Sequence, residues 1–402
     1  MKGRVKMAVR KIKNDVYEVG AIDWDRTLFD EIIPLPDGTS YNSYLIKGSK
    51  KTALIDTVEP EKQNELFENL KELNVKHIDY VVSNHAEQDH SGTIPKVLEA
   101  YPMAKVVTNE KCKEFEKDLL LIDDEKFITI KDGESLSLGN KTLQFVFTPW
   151  VHWPETMSTY LVEDKIMFTC DFFGSHIASS DLFVRNEAKA IEDAKRYYAE
   201  IMMPFRFPIR NNLKKIEKYD VDFIAPSHGE VYDKPDLILN AYKEWVSEDV
   251  KNKVVIPYVS MHGSTEKIVD YFVGALMNRG VKVRPYNVIT SDIGEIAMSL
   301  VDAATIVVAS PTVLVGLHPT AAYVLSFINA IRPKVKFGTF IGSYGWAGQS
   351  VNQAKTLTSN LKAKMLDPIL IKGYPKAEDF QSLNTLANEI VKSHESCKYV
   401  KF

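Results

Sequence analysis

The stretch Asn84-His85-Ala86-Glu87-Gln88-Asp89-His90-Ser91-Gly92 places four potential metal ligands within six residues. Imidazoles and carboxylates this close together repel one another or stay unsatisfied when buried, unless a cation holds them. The stretch follows the apolar run Ile78-Asp79-Tyr80-Val81-Val82 and precedes the helix-like Thr93-Ile94-Pro95-Lys96-Val97-Leu98. It therefore reads as a polar loop at the end of a buried strand, where sites in open α/β architectures tend to lie. His152, Asp171 and His228 also follow apolar runs: Leu143–Phe147, Lys165–Thr169 and Val221–Ala225. Repeated placement of this kind suggests loops converging on one edge of a sheet sandwich. Seven groups (His85, Glu87, Asp89, His90, His152, Asp171 and His228) are too many for one ion with an open position and suit two. Taken singly, a strand-end histidine is more often a hydrogen-bonded loop residue, and Asp171 has the alternative of capping the next segment. His77, His176, His318 and His394 read as surface, loop or outer groups.

A second constellation begins at Val254–Val259, followed by Ser260-Met261-His262-Gly263-Ser264-Thr265 and a helix over 267–278. This strand, small hydroxyl-rich loop and helix start resemble the phosphate cradle of flavodoxins. Backbone N–H groups and the hydroxyls of Ser260, Ser264 and Thr265 would bind an FMN phosphate at the positive helix end. No lysine of P-loop type precedes the hydroxyls, which argues against a nucleoside triphosphate. Two later loops follow strand-like runs: Ser310-Pro311-Thr312-Val313-Leu314-Val315-Gly316 and Gly342-Ser343-Tyr344-Gly345-Trp346-Ala347-Gly348. In flavodoxin-like folds these positions flank the flavin ring, and Tyr344 or Trp346 would stack on it. The expected flavin contacts are therefore Ser260 to Thr265, Ser310 to Leu314 and Ser343 to Gly348. His262 is expected to line the phosphate loop.

The elements that must position these groups differ between the two halves. Up to about residue 250, short strands such as Ser43–Ile46 and Thr52–Asp56 mix with helices, and a second β-rich group spans 142–171. That grammar fits an α/β sandwich. Beyond the polar Ser247–Lys253 the pattern is regular. Strands are expected at Val254–Val259, Val281–Asn287, Thr305–Ala309, Lys336–Gly342 and Pro368–Ile371. Helices are expected at Thr265–Asn278, Ile293–Leu300, Pro319–Ala330, Gln349–Leu361 and Ala377–Ser393. Five strands interleaved with helices predict a doubly wound parallel sheet. The expected domains are 1–250 and 251–402.

Composition sets the outer bounds. A chain of 402 residues exceeds one ordinary core. A hydrophobic content of 45% with 26% charged residues is that of a globular protein. The formal net charge of −4 offers no case for nucleic-acid binding. The opening Met1-Lys2-Gly3-Arg4-Val5-Lys6 lacks the apolar core of a signal peptide, and no apolar run would span a membrane. Three widely spaced cysteines form neither a disulfide framework nor a CxxC metal site. The expectation is a cytoplasmic protein.

The His-x-Glu-x-Asp-His run, with His152, Asp171 and His228 beyond it, resembles the metallo-β-lactamase superfamily. Its usual signature is His-x-His-x-Asp-His, so Glu87 stands where a second histidine is expected. That change, together with the flavodoxin-like half, resembles the flavodiiron proteins, also called A-type flavoproteins. The resemblance implies a metallo-β-lactamase-like αββα sandwich followed by a flavodoxin-like five-stranded sheet, FMN, and two non-haem irons. Three anionic ligands suit iron, because negative charge stabilises its higher oxidation state. By the family's arrangement His85, Glu87 and His152 hold one iron, Asp89, His90 and His228 hold the other, and Asp171 bridges them. Further implications are reduction of dioxygen to water or of nitric oxide to nitrous oxide, and a donor such as rubredoxin or reduced deazaflavin. The resemblance also implies a head-to-tail homodimer or dimer of dimers and the minimal class without a fused rubredoxin. Trp24, His176 and Tyr198 are candidates for residues around the irons. The rival readings are a thioesterase-like zinc hydrolase with a redox-sensing flavodoxin domain, and an electron carrier with a structural metal.

Overall fold

The computed structural model describes residues 9–346 and 348–402. In the strands Tyr44–Lys47, Thr52–Ile55, Tyr80–Val82 and Lys105–Thr108, successive side chains point to opposite faces. Leu45, Leu54, Val81 and Val106 face one way, onto Leu66, Leu70 and Val97 of the helices Gln63–Glu72 and Ile94–Ala100. Ile46, Ile55, Val82 and Val107 face the other way, into Phe145, Met157, Leu161 and Phe168 of a second sheet. Each fully buried aliphatic side chain contributes roughly 1.5–3 kcal/mol. Burial on both faces is what holds these strands between a helical layer and a partner sheet.

The first sheet has seven strands, from Arg10–Lys13 at one edge to Phe127–Thr129 at the other. Its early pairs are antiparallel and its last three pairs parallel. The second sheet runs Ser135–Ser137, Thr142–Phe147, Met157–Leu161, Ile166–Cys170 and Phe223–Pro226, with only the last pair parallel. Facing sheets with outer helices form the αββα sandwich expected from the sequence. The strands ending at Val82, Cys170 and Pro226 run into the ligand-bearing loops.

The chain divides into two compact units. One is residues up to Tyr198 with Phe205–Lys243, and the other is Ala199–Pro204 with Glu244–Phe402. In the second unit the strands Lys282–Asn287, Val250–Tyr258, Ala303–Val313 and Phe337–Tyr344 lie side by side and parallel. Ile369–Lys372 then pairs with the end of Phe337–Tyr344. One face packs on the helices Ser264–Met277 and Ala377–Ser396 through Ile268, Phe272, Leu276, Leu386 and Ile390. On the other, Ile306, Val308 and Phe340 meet Leu325 and Ala354 of the helices Pro319–Ile331 and Ser350–Leu357.

Three details differ from expectation. The sheet has eight strands, because Gly316–Leu317, Lys364–Met365 and Val400–Lys401 add short pairs with no apolar run to announce them. The loop expected from Ser310 is partly strand: Ala303–Val313 continues and turns through Leu314 and Val315, at φ 48° and 74°, into Gly316. Such hairpin turns normally carry Asn-Gly, so the sequence held no turn signal. The helix expected over Gln349–Leu361 is only Ser350–Leu357. Thr358 bonds its hydroxyl to the Ala354 carbonyl, the local competition by which hydroxyl residues end helices.

Candidate metal centre and flavin pocket

The ligand loop is held before any ion is considered. Asp56, at the end of Thr52–Ile55, accepts the Asn84 N–H at 2.7 Å and the Asn84 side-chain N–H at 2.9 Å. Thr159 donates to Asn84 Oδ1 at 2.7 Å, and the Met157 N–H donates to its carbonyl at 3.0 Å. Thr57 fixes the far end by donating its N–H and hydroxyl to the His90 carbonyl. The single helical turn Gln88–Ser91 then aims both Asp89 and His90 inward. Asp56 and Cys170 have φ values of 52° and 51°, a left-handed conformation uncommon for such residues. Strained backbone of this kind clusters at functional sites.

All seven expected ligands meet. Donor atoms of His85, Glu87, His152 and Asp171 lie within 4.8 Å of one another, as do those of Asp89, His90 and His228. Asp171 joins the groups. Its Oδ2 is 3.4 Å from His85 Nε2 and 3.4 Å from His152 Nε2. Its Oδ1 is 2.9 Å from His90 Nε2 and 3.5 Å from His228 Nε2. Glu87 Oε2 lies 3.1 Å from His85 Nε2 and 2.9 Å from His152 Nε2. Cys170 also comes within range of His90 and Asp171, but burial pushes its thiol pKa well above the usual value. A protonated thiol is a poor ligand.

The electrostatics match a cation site. Burial disfavours charge on His85, yet bonds to Glu155 and Glu87 outweigh it and push its pKa up to about 10. His152 rises to about 10 against the same desolvation, through Asp171 and Glu87. His90 rises to about 9, through the charges of Asp89 and Asp171. Burial would raise Glu87 and Asp171, but the neighbouring imidazoles hold both below the usual carboxylate range. Both directions reflect a site whose carboxylates call for compensating positive charge, which a metal ion would supply. Both Asp89 oxygens, Asp171 Oδ2 and His228 Nε2 are buried without a hydrogen-bond partner among the described residues. Such orphaned donor atoms, all converging, fit two metal ions.

The surroundings correct the sequence reading at several places. Tyr197, rather than Tyr198, reaches the centre: its hydroxyl donates to Asp171 Oδ1 at 2.8 Å. Tyr198 instead packs edge-on against Tyr242. The helix phase held that signal, since Ala190, Ala194 and Tyr197 share the buried face of Glu187–Tyr197. Trp24 is 57% exposed, which fits a surface position. His176 is buried, 2.9 Å from Thr39 Oγ1, with its ring 4.9 Å from both His228 and Tyr197. Burial and His228 hold its pKa well below the usual value, so it stays neutral beside the cluster. His394 is no surface group: it is fully buried between Thr305 and Asn252. Asp56 and Glu155 were missed, although Asp56 ends a strand as the ligands do.

In the second unit the expected loops converge at the carboxyl ends of the adjoining strands Val250–Tyr258 and Ala303–Val313. Strand order reverses there, which opens a crevice. The pocket is lined by Met261, His262, Ser264, Thr265, Pro311, Thr312, Ser343, Tyr344, Gly345 and Gly373. Gly263, at φ 85°, precedes the helix Ser264–Met277, leaving the first N–H groups of that helix at the pocket. Thr265 and Ser343 hydroxyls are 3.0 Å apart, and Ser260 Oγ accepts the Glu266 N–H. Ser310 is buried behind the pocket, donating to the Pro311 carbonyl. Val313 is half-buried, whereas Leu314, Trp346 and Gly348 are exposed. Ala347 lies outside the described residues. Gly373 is a lining residue the sequence reading missed. Backbone, hydroxyls and small residues at a helix start fit a phosphate and a planar ring.

Comparison with known proteins follows this geometry. Residues 39–229 match the family described as ODP family beta lactamase. A nitric oxide reductase of Moorella thermoacetica is 35% identical over 94% of this chain and 97% of its own. The solved rubredoxin oxygen:oxidoreductase of Desulfovibrio gigas superposes with a TM-score of 0.92 at 30% identity, over 96% of this chain and 98% of its own. A flavodiiron protein of Giardia intestinalis gives a TM-score of 0.89 at 25% identity, over 97% of each chain.

Proposed function

Because the chain belongs to the flavodiiron proteins, a family of oxidoreductases, we propose that it reduces dioxygen to water, nitric oxide to nitrous oxide, or both. The reading rests on Asp171, whose two oxygens face two separate sets of imidazole and carboxylate donors. His85, Glu87 and His152 would hold one iron and Asp89, His90 and His228 the other, with Asp171 between them. When bound, two irons and FMN supply the four electrons that dioxygen takes, or the two that convert two nitric oxide molecules to nitrous oxide and water.

The chain's own residues do the rest. The Ser40 carbonyl accepts from His228 Nδ1 at 2.6 Å, which turns the His228 Nε2 lone pair toward the cluster. The Tyr197 hydroxyl bonds Asp171 Oδ1 and limits its rotation. Arg26, Phe29, Asp30, Glu59 and Gln88 line an opening beside Glu87 and Asp89, a path for small gases and for protons from water. In the second unit, the start of Ser264–Met277 would take the FMN phosphate, and the Pro311–Thr312 and Ser343–Gly345 segments would hold the ring.

The electrons come from an external donor, rubredoxin or reduced deazaflavin. The chain works as a head-to-tail homodimer or dimer of dimers. Exposed Leu314 and Trp346, at 92% and 81%, support burial by another chain. No helix among the described residues is long and apolar enough to cross a membrane. A cytoplasmic location fits the three free cysteines.

Metal and flavin analysis, followed by steady-state rates with each gas, tests the proposal. Two irons and one FMN per chain with gas consumption are expected. Two zinc ions without iron would sink the diiron reading in favour of a hydrolase. Full turnover by a monomer would remove the dimer.

A further inference from the structure

Three imidazoles of the cluster are backed in three different ways. His85 Nδ1 lies 2.6 Å from Glu155 Oε1, and neither side chain is exposed. His228 Nδ1 lies 2.6 Å from a neutral backbone carbonyl, that of Ser40. His90 Nδ1 is buried with no hydrogen-bond partner among the described residues. Of these three, only His85 has a carboxylate behind it.

Glu155 is held at its main chain and at one carboxylate oxygen. The Ala86 N–H donates to the same Oε1 at 3.2 Å, and Asn109 Nδ2 donates to the Glu155 carbonyl at 2.6 Å. Asn109 in turn caps the helix Glu110–Leu120 by accepting the Cys112 N–H at 3.0 Å. The His85 ring therefore meets a carboxylate whose main chain is anchored and whose Oε1 is shared with the Ala86 N–H, while Oε2 is buried without a hydrogen-bond partner among the described residues.

Each proposed ligand set has two imidazoles and one carboxylate of its own, with Asp171 shared; Glu87 and His152 are partly exposed, and Tyr197 bonds the Asp171 oxygen that faces His90 and His228. The partner behind the His85 ring is a further difference between them. A carboxylate accepting Nδ1–H fixes the tautomer that presents Nε2 and raises the basicity of that nitrogen; a carbonyl fixes the tautomer with a smaller gain in basicity.

We propose that Glu155 is a positioning residue that makes the metal position of His85, Glu87 and His152 the tighter of the two. This rests on the diiron reading above.

The test uses the full chain with its FMN retained and its metals removed by chelation, titrated with Co(II) and followed by visible absorption. Wild type is expected to take up two ions per chain in two resolved steps. Glu155→Gln keeps the volume and can still accept the imidazole N–H, so a merely structural role predicts no change. The proposal predicts an affinity loss of about 10- to 100-fold in the tighter step, with the weaker step and FMN content unmoved. Glu155→Asp, which keeps the charge, should lose less than Glu155→Gln. If Glu155→Gln does not fold, the wild-type steps and Glu155→Asp decide. Equal steps in wild type, a Glu155→Gln curve superimposable on wild type, or loss confined to the weaker step would overturn the proposal. A wild-type chain that takes up fewer than two ions instead overturns the diiron reading.

Discussion

In the metal cluster seven ionisable side chains meet, five of them buried and two partly buried, whereas the flavin pocket is lined mostly by hydroxyl residues and glycines, with Met261, His262 and Pro311. The first must hold concentrated charge away from water. It does so with bonds made in advance: Asp56 to Asn84, Glu155 to His85, Ser40 to His228 and Tyr197 to Asp171. The second has little charge to restrain, so a helix start and three strand-end loops suffice. The difference teaches that a site's demand for outer support scales with the charge it buries. It also predicts that the two sites fail independently.

The severest test is Asp171→Asn. It removes the carboxylate that faces both donor sets, so metal content should fall and gas reduction should drop by more than about 100-fold, beyond the range for an outer partner. FMN content, read by absorbance, should not change; joint loss of metal and flavin would contradict independent sites.

Glu116→Gln comes next. Glu116 is buried, its Oε1 accepts from Ser83 Oγ beside the ligand loop, and burial pushes its pKa from 4.5 to about 8. The folded chain keeps this proton through neutral pH, while the unfolded chain releases it above 4.5. Its contribution is thus favourable below pH 4.5 and is lost progressively up to about pH 8. Glu116→Gln should stabilise the fold at pH 7 by roughly 3 kcal/mol and flatten that slope. Urea melts at pH 5 and pH 8 check this, and parallel wild-type and variant curves would refute it.

Tyr197→Phe should weaken metal binding by about 10- to 100-fold, with Tyr198→Phe leaving it unchanged. Chelator competition distinguishes them; equal effects would mean that the Asp171 bond is not what matters. The smallest effect is expected from Thr265→Val. Losing one hydroxyl of the Thr265–Ser343 pair should raise the FMN Kd about tenfold, roughly 1.4 kcal/mol, without altering metal content. Fluorescence titration with FMN measures it.

Legibility followed the same division. The candidate ligands were readable because His and Asp recur after several apolar runs, and the helix Ile293–Leu300 because its apolar period is clean. The hairpin at Leu314–Val315 was not, since it uses aliphatic residues where a turn prefers Asn-Gly. Tyr197 and Tyr198 are neighbours of one type, and only the helix phase separates them. His394 read only as a surface, loop or outer group because its partners, Thr305 and Asn252, are far away in the chain.

Residue type and local spacing were enough for the two-part architecture and the seven candidate ligands, and with the family resemblance for the candidate flavin loops and the exchange at Glu87. These are local properties: periodicity, strand ends and the chemistry of each side chain. That Glu155 backs His85, that Asp56 holds Asn84 and that Tyr197 reaches in were decided only by the tertiary fold. Each joins residues tens of positions apart, and no local pattern encodes a distance that packing of the two sheets creates.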